Sequence, residues 1–193
     1  MPPSSDAADR EVLISVDIEA SGPSPSVASL LSVGACLVDD PSEAIYLELR
    51  PGPDRMWDDA AASVHGLDRD RLEQEGLPLG DAMQRLVAWV DHVAHGRRSV
   101  FVGLNAGFDW MFVADALWRT VGRNPFGIAP LDLKALYMGR DGVATWSRTT
   151  RRDITARYPV DEPHTHNALD DARHQAVLAR RLLRDPRDPS RGP

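Results

Sequence analysis

Apolar and polar residues alternate through residues 11–18 (EVLISVDI), a stretch rich in Val and Ile, which predicts a half-buried β-strand with Val12, Ile14, Val16 and Ile18 on one face. The Gly/Pro/Ser segment at 21–26 (SGPSPS) closes it in a turn. Apolar runs at 30–38 and 44–50, separated by Asp39-Asp40-Pro41, predict a second and a third strand, and the three together a meander. Short helices are expected over 57–64 and 68–75. A longer one is expected over 79–93, where Leu86, Val87, Val90 and Val93 recur at helical spacing. The run 98–104 (RSVFVGL) reads as a buried strand, followed by a helix at 108–121, a short strand at 127–131 and a helix at 132–137. In the last helix, 167–183, Leu169, Ala172, Ala176, Ala179 and Leu183 are spaced by threes and fours. Three strands in succession, then strands alternating with helices, predict an α/β fold. Its centre is a mixed five-stranded sheet covered by helices on both faces. Ligands of such sheets sit at the carboxyl ends of strands, so the acids found there carry the chemical interest.

At 193 residues the chain suits one domain, expected over 10–184 between flexible ends at 1–9 and 185–193, the latter (DPRDPSRGP) unable to sustain a helix. One cysteine, Cys36, excludes an internal disulfide framework and a cysteine-based zinc site. No run of 18 apolar residues is present, and the start (MPPSSDAADRE) has neither the basic nor the apolar part of a secretory signal. The expectation is a cytoplasmic protein with no membrane partner. Lys and Arg number 22 against 29 Asp and Glu, a net charge of −7 with a pI near 5.3. That argues against holding nucleic acid through a large basic face, but not against an enzyme whose bound cations supply positive charge locally.

Asp17 and Glu19 end the first strand. Their spacing points both carboxylates to one face, roughly 7 Å apart at the backbone, opposite the valines and isoleucines. Two anions losing hydration beside a buried strand need a cation; taken alone, the pair also reads as solvated strand-end acids before a turn. Asp109 falls in the first turn of the helix after the 98–104 strand, where the helix dipole favours an acid, and Asn105 stands where it can cap that helix. His166 and Asp171 open the last helix, with Asp170 beside them and His164 a rival histidine in the same loop.

The ordered set SVDIEASGP, GLNAGFDWMF and HNALDDARHQA resembles the DEDDh 3′-to-5′ exonucleases, a DnaQ-like family of ribonuclease H-like fold that includes proofreading subunits, RNase T and oligoribonuclease. The resemblance covers residues 12–183, and its pattern selects His166, five positions before Asp171, over His164. It implies a hydrolase that cleaves phosphodiester bonds at the 3′ end of single-stranded RNA, DNA or short oligonucleotides and releases nucleoside 5′-monophosphates. By that resemblance Asp17, Glu19, Asp109 and Asp171 hold two divalent cations, Mg2+ or Mn2+, and His166 is the general base on the attacking water, a role its near-neutral reference pKa suits. Four carboxylates around two dications are neutral before substrate arrives.

The resemblance also suggests substrate contacts at Ser21, Gly22, His65 and Asn105, and relatives that act as dimers make a homodimer an expectation. Plain turns, a loop position between two short helices and a role for Asn105 in positioning Asp109 are the competing structural readings. Asp132 reads as a helix N-cap, Trp110 as core, and Trp57 and Trp146 as surfaces on which a base can stack. The basic segment 148–157 (RTTRRDITAR) reads as a solvated helix face that can also guide the strand. The alternative to an enzyme is a nucleic-acid or partner-binding module that keeps the fold without turnover.

Overall fold

The alternating stretch forms β1 (Glu11–Ala20), a computed structural model of the chain shows, so Asp17 and Glu19 lie within the strand. Residues 11–161 and 165–184 are described; the ends expected to be flexible, 1–9 and 185–193, and the rival His164 lie outside them. β1 pairs antiparallel with β2 (Leu30–Leu37), which pairs antiparallel with β3 (Ala44–Glu48). On its other side β1 pairs in parallel with β4 (Arg98–Gly103), and β4 with the two-residue β5 (Leu131–Asp132). The sheet order is β3-β2-β1-β4-β5, the mixed five-stranded sheet expected, with β1 at its centre.

Three helices follow β3: α1 (Asp59–His65), α2 (Arg69–Glu75) and α3 (Leu79–Ala94). After β4 comes α4 (Gly107–Thr120), and after β5 come α5 (Leu133–Asp141), α6 (Arg151–Arg157) and α7 (Ala168–Arg184). Period-two alternation along β1 divides the molecule. Val12, Ile14, Val16 and Ile18 join Met83, Leu86 and Val90 of α3 and Phe112, Val113 and Leu117 of α4 in one core. The other face packs on Leu133, Tyr137, Ile154 and the Ala172, Ala176 and Ala179 stripe of α7. Each large side chain so buried contributes about 1.5–3 kcal/mol.

Small residues bring α7 close. Gly34 on β2 is the register partner of Asp17, and a Cβ there would lie 2.2 Å from the backbone carbonyl carbon of Ala168. Only glycine lets the helix entry rest on the strand at this point.

Three local expectations change. The strand at 127–131 is reduced to Leu131–Asp132, because Gly127 takes a positive φ of 82° and Pro130 removes a ladder donor; Ile128 between them is 92% exposed. Asn105 does not cap α4, whose N-cap position is Ala106 with no side-chain capping bond; Asn105 itself is left-handed, φ 64°. His65 is the last residue of α1 rather than a loop residue. Asp132 does cap α5, accepting from Ala135 N at 2.9 Å, and its other oxygen accepts from Ala106 N at 2.7 Å, which fixes the chain just before Asp109. Trp110 packs edge-on against Phe101 in the first core, as its helical spacing implies. Among the described residues no helix is long and apolar enough to cross a membrane.

Candidate active site

The carboxyl end of β1 opens into a cleft of about 420 Å3. Asp17, Glu19, Asp109, His166 and Asp171 all line it, together with Asn105. Three elements deliver them. β1 presents Asp17 and Glu19 on the α7 side, and a register shift between Glu19 and Ala20 ends regular pairing with β2 there. The first turn of α4 brings in Asp109, and the entry of α7 brings His166 and Asp171. Asn167 starts that last helix, its side-chain oxygen accepting from Leu169 N at 3.0 Å and Asp170 N at 3.3 Å.

One carboxylate oxygen each from Asp17, Glu19 and Asp171 lies within 4.8 Å of the others. Asp109 is buried against this group, and one of its oxygens accepts from Ile18 N at 3.1 Å, tying α4 to β1. Asp171 is held similarly, accepting from Thr165 N at 3.1 Å. His166 stands at the rim with a φ of 57°, near enough for its charge to act on Asp171. Of the four non-glycine residues with positive φ among those described, Asn105 and His166 both line this cleft. Such strain, of order 1–3 kcal/mol per residue, persists where the surroundings over-determine the backbone.

The electrostatics suit a bound cation. Burial, then the charges of Asp109, Asp171 and Glu19, push the Asp17 carboxyl well above the usual carboxylate range. Burial, then Asp171 and Asp109, push Glu19 up to about 8. Asp109 and Asp171 are raised by burial, each partly restrained by the backbone N–H it accepts. Hard oxygen donors crowded to this degree favour a hard divalent ion, whose charge relieves the repulsion and lets all four ionise.

Gln175 and Lys134 were not singled out by sequence reasoning, and Arg151 was named only as part of the basic segment 148–157. Gln175, fully buried on α7, donates from Nε2 to Asp17 Oδ1 and accepts at Oε1 from Leu104 N at 2.8 Å. Lys134 faces the cleft, donates to Asn105 Oδ1 at 3.4 Å and lies 4.3 Å from the Trp146 ring centre. Arg151, at the start of α6, turns into the cleft beside Thr150; its Nε is buried without a partner, and Asp171, Asp17 and Asp109 act on its charge. A lysine at the start of one helix and an arginine at the start of another carry no spacing signal. Arg148 and Arg157 are drawn off by Asp153 at 3.8 Å and Asp141 at 3.2 Å.

Ser21, Gly22 and His65 are not brought into the cleft lining. The Ser21 hydroxyl donates to Met56 O at 2.6 Å and accepts from Ser29 N at 2.8 Å, pinning the turn after β1. A Cβ on Gly22 would meet Met56 Sδ at 2.9 Å, so its close approach is to that side chain. His65 accepts at Nδ1 from Leu67 N at 3.0 Å and meets Trp57 edge-on. Burial lowers its pKa and keeps it neutral.

A family model described as an exonuclease (RNase_T) matches residues 14–178. The chain is 40% identical over 173 residues to the 3′-5′ DNA exonuclease Cap18 of Escherichia coli, covering 89% of this chain and 91% of that protein. It is 27% identical over 178 residues to the ribonuclease T of Photorhabdus laumondii, covering 84% and 79%. Among solved structures, the nuclease domain of 3′hExo, a DEDDh family member bound to rAMP, superposes with a TM-score of 0.73 at 16% identity over 90% of this chain and 92% of that one. Escherichia coli exonuclease I in complex with a dT13 oligonucleotide gives 0.70 at 16% identity over 93% and 42%. At that identity the likeness speaks for the fold.

Proposed function

The chain belongs to the DEDDh exonuclease family, a hydrolytic 3′-5′ exonuclease family, and on that premise we propose that it removes nucleotides one at a time from the 3′ end of single-stranded nucleic acid, DNA first, as 5′-monophosphates. The observation that carries this reading is the convergence of Asp17, Glu19 and Asp171 within 4.8 Å, with Asp109 and His166 in the same cleft. DNA is favoured by the substrate named for the 40%-identical relative.

In this reading Asp17, Glu19, Asp109 and Asp171 hold two divalent cations, Mg2+ or Mn2+. When bound, these supply charge stabilisation at the attacking and leaving oxygens of an in-line displacement. The chain's own residues do the rest. His166, exposed at the rim, takes a proton from the attacking water as the P–O bond to the penultimate nucleotide breaks, and the leaving 3′ oxygen ends protonated. Arg151 and Lys134 face the phosphate and offset its charge, while Asn105 offers an amide to the terminal nucleotide. Ala106, held by Asp132, keeps the start of α4 and hence Asp109 in register with β1.

A 5′-labelled DNA oligonucleotide incubated with Mn2+ tests the reading. A ladder shortening from the 3′ end, abolished by chelator and by Asp17→Ala or Asp171→Ala in folded protein, is expected. Intact strand with the wild-type protein, or undiminished cleavage in excess chelator, would defeat it. A matched RNA strand run in parallel decides the sugar preference.

A further inference from the structure

We propose that Gln175 is a positioning residue for metal capture: its amide, oriented by the Leu104 N–H, holds the Asp17 carboxylate through Oδ1 beside Glu19 and Asp171. The proposal rests on the metal-dependent reading of the cleft and adds a residue to it.

Gln175 lies four positions after Asp171 on α7, so both side chains leave the same face of the helix. It is 1% exposed and uses both ends of its amide. The Leu104 N–H is only a donor, so the amide end facing it at 2.8 Å must be Oε1. Nε2 is thereby turned towards Asp17, where it donates to Oδ1. The identity of each amide end is fixed by its partners rather than by choice. One side chain so joins the end of β4, the end of β1 and α7, the three elements whose relative placement defines the cleft.

The chemistry of the residue matters as much as its reach. Asp17 stands among three other acids, and every one of them disfavours its ionised form. A lysine or arginine in place of Gln175 would neutralise Asp17 and compete with the cation for it. A carboxylate would add repulsion. A neutral donor does neither: it favours the anion, fixes its rotamer through one oxygen and leaves the other for a ligand. Outer partners of metal ligands of this kind are typically worth about 10–100-fold in metal affinity.

Mn2+ binding to the nucleic-acid-free protein, followed by electron paramagnetic resonance or calorimetry, tests this with Gln175→Met and Gln175→Glu. Melting in chelator and the Mn2+ dependence of DNA cleavage are recorded alongside. Methionine removes both bonds. Glutamate still accepts from Leu104 N–H but has no donor for Asp17. Both variants should bind Mn2+ about 10–100-fold more weakly. The Glu variant, which faces Asp17 with a further carboxyl, should melt below the wild type in chelator, and cleavage by both should approach the wild-type rate at saturating Mn2+. Wild-type Mn2+ affinity in the Glu variant overturns the proposal, whatever the Met variant does, because anchoring Leu104 would then be the whole role. If the wild-type protein binds no more Mn2+ than Asp17→Ala, the metal reading itself fails, and the two failures are told apart.

Discussion

Gly34→Ala perturbs the site without touching any residue in it. The new Cβ would lie 2.2 Å from the Ala168 carbonyl carbon and 2.3 Å from Ala168 O and Leu169 N, all of them backbone atoms at the start of α7. Ordinary contact begins near 3.4 Å, so the helix entry must retreat from β2 by about 1.2 Å. No side-chain rotation relieves the clash, because both partners are main chain. Overpacking of this kind costs about 1–3 kcal/mol, which for a chain of this length lowers Tm by roughly 2–12 °C. The functional cost is larger than the stability cost. Asp17 is the register partner of Gly34, and Asp171 and His166 ride on the helix that moves. Metal distances tolerate about 0.2 Å, and a misplacement near 1 Å is worth about 100-fold in rate. The assays are melting in chelator, Mn2+ binding and initial cleavage rate. Gly139→Ala is the matched control: Gly139 sits within α5 with nothing within 4 Å of an added Cβ, so alanine there should gain about 0.5–1 kcal/mol and leave cleavage alone. Wild-type Mn2+ affinity and rate in Gly34→Ala would refute the idea that the sheet-to-helix separation at this glycine sets the site.

Metal and pH should act on stability in opposite senses. The folded metal-free protein keeps protons on Asp17, Glu19, Asp109 and Asp171 that the unfolded chain releases near about pH 4. The folded state then binds more protons, so Tm in chelator should fall as pH rises from about 4 to about 8, the value to which Glu19 is raised; a flat or rising Tm over that window sinks the electrostatic account. Mn2+ at about 100 times its Kd should stabilise the protein by about 2.7 kcal/mol, roughly 5–11 °C in Tm, and this gain should vanish in Asp17→Ala. His166→Ala should lose about 100- to 10,000-fold in cleavage rate while holding Mn2+ within a few-fold; unchanged turnover would remove His166 from the role of base.

How much of this was legible in the sequence follows from how local each signal is. The D-x-E spacing on β1 depends only on the two-residue period of a strand, and the five-residue step from His166 to Asp171 only on one helix entry. Both survive in the fold with their faces as read. Order along the chain then joined them to Asp109, and the mixed sheet followed from three successive strands and the alternation after them. The positions off the cleft lining are held by contacts of another kind. The Ser21 hydroxyl bonds Met56 O and Ser29 N, Gly22 lies against Met56 Sδ and His65 Nδ1 accepts from Leu67 N, partners that sequence spacing does not reveal. Asn105, expected as a cap, is instead left-handed because Asp132, 27 positions on, already holds the start of α4 through Ala106.

The residues that convert a motif into a site are the least visible in a one-dimensional pattern. Asp17, Glu19, Asp109 and Asp171 repel one another, and nothing in their own chemistry draws them together without a cation. What assembles them is close packing elsewhere: Gly34 and the alanine stripe of α7 let the helix approach, and Gln175 joins it to β1 and β4. These residues are small or neutral, and each works through a contact more than 70 positions away in the chain. The burial energy of two hydrophobic cores, one on each face of β1, is therefore the force that holds four like charges in one cleft at the carboxyl end of that strand.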